Sequence, residues 1–292
     1  PLWELEIAPA LPHEALTSLR TRLDSAVATL ESMVTSERQQ AASDDASGRP
    51  ESGRVHEGTA RQLSGLLSEA RYWRSVALTE EGIAAARTRP GGLRGLWNSM
   101  FGDDTPLVQA QKTLTALAKS EERNYEIQLQ SGRVYRLLGS SKVALDYYTR
   151  ASEINPNRPE AWYGLAITRW EREAESPERN AAIRELLTTS IAADPRFTPA
   201  YLLMARLELR QKQWAAALPY LQWLKLNRPD QQPAQISLGQ AQRELGQLAE
   251  AELTLLPLAN ANSGTALVEL ARVYIQANQP EAAEAVLRRA LD

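Results

Sequence analysis

The chain has 292 residues, 43% hydrophobic and 24% charged, a balance that suits one or two packed cores. Lys+Arg 33 against Asp+Glu 36 leaves a formal charge of −3, without the basic excess that seeks nucleic acid or an anionic membrane. There is no cysteine and there are two histidines, His13 and His56, which excludes a disulfide framework, a thiolate metal site, a cysteine nucleophile and a poly-histidine centre.

Residues 14–39 are predicted to form one long helix. Leu16, Leu19, Leu23, Ala26, Leu30 and Met33 alternate spacings of three and four, the seam of a coiled coil, and Val27 and Val34 widen it. Ala41–Gly58 is small, polar and interrupted by Gly and Pro, so it is predicted to be a flexible loop. Periodicity returns over Thr59–Thr88, with Leu63, Leu66, Leu67, Ala70, Trp73, Val76, Ala77, Ile83 and Ala84 on one face. The two helices are expected to pair as an antiparallel hairpin over residues 1–89, each arm roughly 40 Å long. Such stripes serve packing more often than recognition, so the hairpin is expected to lie against the next domain rather than to bind a partner.

Residues 90–123 are predicted to be a linker with a packing helix. Pro90-Gly91-Gly92 breaks the second arm, and Leu93, Leu96, Trp97, Met100 and Phe101 make a short apolar face with Arg94 as its one cation. That is a poor composition for anionic lipid, so a turn packed on its neighbour is the expectation. Leu107, Ala110, Leu114, Leu117 and Ala118 then share one side of a helix over 105–122.

From about Asn124 an internal period emerges. Pro156, Pro195 and Pro229 close the phrases Glu-Ile-Asn-Pro, Ala-Ala-Asp-Pro and Leu-Asn-Arg-Pro, at intervals of 39 and 34 residues. Small residues recur (Gly132, Ala166, Ala205, Gly239, Ala271), as do bulky ones (Tyr148, Leu221, Leu255, Leu287). This pattern resembles the tetratricopeptide repeat, a helix–turn–helix unit of 34 residues. Five successive units start at Tyr125, Pro159, Thr198, Gln232 and Gly264; the second carries a five-residue insertion near Ala174–Asn180, and the fourth has Pro257 inside its second helix and no closing Pro. The implied fold class is all-α: an α-solenoid of about five such units over 124–292, preceded by the long antiparallel helical hairpin. One unit cannot bury its apolar face alone, so the units stack.

The resemblance also implies a binding surface. In that family the first helices line a concave groove, and positions 5, 9 and 12 commonly face it. Position 5 here is Leu129, Tyr163, Leu202, Ile236 and Val268, apolar each time; position 9 is Arg133, Ile167, Arg206, Gln240 and Arg272; position 12 includes Trp170 and Arg243. The expected groove is an apolar stripe flanked by arginine, suited to a protein or peptide with apolar anchors and acidic flanks. The subgroup that clamps a C-terminal carboxylate uses Lys and Asn at positions 5, 6 and 9, and no unit here has either residue there, so that ligand is not expected. Occupation of the groove by residues 93–122 or by the hairpin is the competing expectation.

No G-x-S-x-G, Walker A, G-x-G-x-x-G or H-E-x-x-H occurs, so no catalytic, cofactor-binding or metal-ligating residues are assigned. Asp44-Asp45 and Asp103-Asp104 are expected to be solvated turns, and His13 and His56 surface residues. The expected function is a scaffold or adaptor that binds a partner segment and supports assembly of a multiprotein complex. Two alternatives stay open: a membrane-anchored assembly factor, and a regulatory piece of a larger enzyme. The chain starts at Pro1 and ends in an apparent helix at Asp292, as expected of a fragment, and nothing in it selects a cytoplasmic or periplasmic compartment.

Overall fold

In a computed structural model of the chain, the described residues are 12–88 and 105–291. The predicted apolar face at 93–101 and the pair Asp103-Asp104 lie outside them. Every regular element among the described residues is an α-helix, and the chain divides into two compact units, Pro1–Pro156 and Asn157–Asp292.

The first unit opens with a hairpin of α1 (His13–Ala46) and α2 (Pro50–Thr88), packed along their length. The loop predicted over 41–58 shrinks to Ser47–Arg49, and the rest is helix. The small residues that look like a loop in sequence are contact residues of a tight crossing. Ala41 is buried, and a Cβ at Gly53 would collide with the Asp45 carboxylate and the Ala41 carbonyl. Asp44 is not a solvated turn residue but is 1% exposed. It accepts hydrogen bonds from Ser52 Oγ at 2.6 Å and Gln40 Nε2 at 3.2 Å and pairs with Arg49 at 2.8 Å. The Ser52 hydroxyl, helped by Arg49 and Gln40, holds its carboxyl below the ordinary range. His56 is likewise not in a loop: it lies on α2, half-buried, with Nδ1 2.7 Å from Glu37 Oε2.

The hairpin seam also differs from its predicted line. Leu16, Val34, Ala41, Ala60 and Leu67 are buried, whereas Leu19, Met33, Leu66 and Trp73 are 41%, 46%, 53% and 52% exposed. The wider residues Val27 and Val34 belong to the seam, while Leu19, Ala26 and Met33 flank it by one position. Ion pairs Arg20–Glu81, Arg71–Glu31 and Arg74–Asp24 bridge the two helices at the edges of the seam.

The last third of α2, still paired with the start of α1 through Arg20–Glu81, also packs on α3 (Pro106–Ser120), on which α4 (Tyr125–Leu137) packs next. Leu78, Ala110, Leu114 and Val134 form the shared core. A Cβ on Gly82 would sit 2.7 Å from Leu107 Cγ. The same kind of contact joins Gly132 of α4 to Tyr148 of α5 (Ser141–Ile154), at 2.8 Å. The end of α2 and α3 therefore act as one further helix pair stacked before the first predicted unit.

The second unit contains four helix pairs: α6 (Pro159–Arg172) with α7 (Pro177–Ala193), α8 (Thr198–Arg210) with α9 (Trp214–Asn227), α10 (Gln232–Glu244) with α11 (Leu248–Asn260), and α12 (Gly264–Gln276) with α13 (Pro280–Leu291). Each second helix also packs on the first helix of the following pair, the arrangement of an α-solenoid. Small residues make the pairs close: Ala166, Ala205 and Ala271 are at most 3% exposed, and a Cβ on Gly239 would meet Leu255 Cγ at 2.5 Å. Turns within the pairs pass through left-handed backbone at Lys212 (φ 57°), Gly246 (φ 77°) and Asn278 (φ 57°). The missing proline of the fourth unit is explained by Asn262, which takes the same conformation with φ 57° and turns the chain.

Candidate partner-binding face

The residues assigned to the groove are split between the two units. Leu129 and Arg133 belong to α4 of the first. Leu129 is half-buried, and the Arg133 guanidinium lies 2.6 Å from Glu80 of α2. One turn away, Gln130 Nε2 donates to Thr79 Oγ1 at 3.1 Å. Here the face of the first helix is engaged by the N-terminal part of the same chain.

In the second unit the ten remaining residues lie on α6, α8, α10 and α12, and these first helices touch one another as α6 with α8 and α10 with α12. They are not equally accessible. Tyr163 is 7% and Ile167 1% exposed; the Tyr163 ring packs edge-on to Phe197 at 5.6 Å, so both serve the interior. Leu202 and Ile236 are half-buried against the cores beneath them, and Val268 is 38% exposed. Ile275 at the end of α12 is 61% exposed. The accessible apolar column therefore runs over α8, α10 and α12 and excludes α6.

Trp170 closes the α6 end of this face. Its ring has the guanidinium carbons of Arg179 and Arg210 each 5.1 Å from its centroid. Arg179 donates to the carbonyls of Arg169 at 3.3 Å and Trp170 at 2.8 Å, capping the end of α6, and Arg210 pairs with Glu175 at 2.6 Å. Glu175 and Arg179 both come from the five-residue insertion, whose use the repeat pattern by itself did not show. The insertion thus fastens the first two pairs of this unit at the rim of the face.

The arginines are largely compensated. Arg243 pairs with Glu244 at 2.7 Å and lies 3.7 Å from Glu269, which also takes Arg272 at 2.5 Å. Gln240 is half-buried and Arg206 is exposed. Beneath the face, Arg184 of α7 forms a two-point pair with Glu208 of α8, at 2.7 and 3.1 Å. That pair compensates a carboxylate only 3% exposed, and the Glu208 hydrogen bond holds the Arg184 guanidinium above its ordinary pKa.

Among the described residues no three His, Cys, Asp or Glu side chains are grouped to hold a metal ion, and no helix is long and apolar enough to cross a membrane. A depression of about 520 Å³ in the first unit is lined by Glu122, Arg123, Arg150, Glu153 and Ile154, a mixture of charges with no convergent set of donors.

Residues 202–263 match one tetratricopeptide repeat profile, and residues 125–158 and 264–292 match another. Among solved structures, the chain is similar to YrrB, described as a TPR protein with an unusual peptide-binding site (TM-score 0.56, 17% identity, 62% of this chain and 92% of that one). It is also similar to a double mutant of MamA from RS-1 (TM-score 0.51, 16% identity, 57% and 92%). A third is MamA from residue 41 onward of Desulfovibrio magneticus RS-1 (TM-score 0.50, 16% identity, 57% and 93%). No curated protein sequence matches.

Proposed function

Because the chain is a member of the tetratricopeptide repeat family, we propose that it is a protein-interaction scaffold that receives a partner segment on the first helices of its last three repeats and brings that partner into a larger assembly. The observation that carries this reading is the column Leu202, Ile236 and Val268, one residue from the same repeat position on each of α8, α10 and α12, with Arg206 exposed beside it. The peptide binding described for YrrB, which shares the fold, is consistent with such a ligand.

Packed helices lie 8–10 Å apart, so anchors on an extended peptide would recur at roughly three-residue spacing. Apolar anchors supply burial, and the exposed Arg206 adds a positive charge at the edge of the column. Selection of random peptides on the purified chain tests this. Enriched sequences are expected to carry two or three apolar residues at that spacing, and Leu202→Asp with Val268→Asp should abolish their binding while the circular dichroism stays helical. Enrichment that survives the double substitution would remove this face from the reading.

A further inference from the structure

The seam of the hairpin changes its chemistry towards the turn. Along α1 one line of seam residues recurs every seven positions as Leu16, Leu23, Leu30, Glu37 and Asp44. Leu16 and Asp44 are buried and the three between them half-buried, so the whole line faces α2. Three leucines are followed by two carboxylates. The other seam residues shrink at the same end, to Ala41, Gly53 and Ala60, so apolar burial holds it less firmly than the middle of the hairpin. From α2, His56 enters between the carboxylates, with Nδ1 2.7 Å from Glu37 Oε2 and Nε2 3.7 Å from Asp44 Oδ2. A neutral imidazole has one N–H and turns a lone pair towards its second neighbour, whereas an imidazolium donates on both sides.

We propose that His56 is a pH-dependent latch on the end of the hairpin: protonated, it bridges the seam carboxylates Glu37 and Asp44 and holds the last turns of α1 against the first turns of α2, and on losing its proton it releases one of them. The partner carboxylate keeps its charge over the relevant range. The Ser52 hydroxyl holds the Asp44 carboxyl below the ordinary range, and His56 is itself among the charges that lower it. Such a coupling is reciprocal, so the ionised Asp44 favours a charged ring beside it. Arg49, the one cation paired with this cluster, acts on the other oxygen, Asp44 Oδ1, at 2.8 Å, and leaves Oδ2 to Ser52 and His56. The remaining charged side chains of this end, Arg38 and Asp45 of α1 and Glu51, Arg54 and Glu57 of α2, are exposed. Their charges, two positive and three negative, are screened by water and salt. The sign is therefore fixed by the two carboxylates: the latch is closed at mildly acid pH and opens as pH rises.

Amide exchange of the whole chain tests the proposal, with each rate divided by its intrinsic value at the pH used. Between about pH 8 and about pH 5.5, where imidazoles gain their proton, amides of residues 38–60 should become roughly two- to tenfold more protected, the worth of one or two part-exposed ion pairs. Amides around Val27 and Leu67, in the apolar part of the same seam, supply the reference and should not follow this change. His56→Gln keeps an N–H donor without the charge and should remove the gain. Glu37→Gln should reduce it and leave the share of Asp44. The ratio is taken within each variant, so a general loss of stability does not imitate the effect. Protection of residues 38–60 that is the same at both pH values in the wild-type chain overturns the proposal. So does a gain that persists in His56→Gln, which would assign the pH dependence to the carboxylates and Arg49 instead.

Discussion

Replacing Gly239 with alanine sets two physical effects against each other. In an isolated helix the change is favourable by about 1 kcal/mol, because glycine loses more backbone freedom on folding. In this fold the new Cβ would lie 2.5 Å from Leu255 Cγ and 2.7 and 2.9 Å from its methyl carbons. Ordinary carbon contacts are about 3.5–4 Å. Leu255 is fully buried in the cluster with Ala251, Ala259, Leu267 and Leu270, so it would have to move by about 1 Å into occupied space. Overpacking of this kind costs about 1–3 kcal/mol, which leaves a net loss of up to about 2 kcal/mol. Urea unfolding followed by circular dichroism reads the loss. Amide exchange over α10 and α11 localises it, since stacked repeats open regionally. Leu255→Ala should itself cost about 2–5 kcal/mol, and the two changes together should cost less than their sum because the cavity accepts the new methyl. A midpoint raised in Gly239→Ala would refute the close contact and the repeat register built on it.

Lys212→Gly should stabilise the chain by about 0.5–1 kcal/mol, because Lys212 holds a left-handed φ of 57° that glycine adopts without strain; a lower unfolding midpoint would contradict this. Tyr274 donates to Glu252 Oε1 at 2.8 Å, and burial together with that carboxylate pushes its phenol up to about 12. The folded state thus favours the neutral phenol, so this contribution is complete below the unfolded value near 10 and is lost as pH rises through about 12. Tyr274→Phe should cost about 1 kcal/mol at neutral pH, and the gap between variant and wild type should narrow over that alkaline window when both are melted in parallel.

Much of the second unit could be read in one dimension because a repeat states its own packing rule several times. Ala205 and Gly239 are small where Leu221 and Leu255 are large, and the 34-residue spacing returns each pair to the same place; these constraints are local, so sequence carries them. The hairpin was legible only in outline. Ala41, Gly53 and Asp44 have the composition of a loop, and only a crossing helix that needs small residues and a buried carboxylate acceptor turns them into contact residues. Leu19 and Met33 follow a heptad as well as Val27 and Val34 do; packing against the partner helix, where Ala60 and Leu67 are buried, decides which line faces inward. Accessibility on the candidate face was not local either. Tyr163 and Val268 hold the same repeat position, yet one is buried beside Phe197 and the other open to solvent, because exposure is set by the neighbouring repeat. The five-residue insertion is visible as a break in the period, but its role needs Trp170, Arg179 and Arg210 brought together from three helices. Sequence by itself determined the repeat and the helices within it, since both depend on residues a turn or a unit apart. Which side chains remain free for a partner was decided by tertiary packing alone, since burial depends on what the rest of the chain places on top of them.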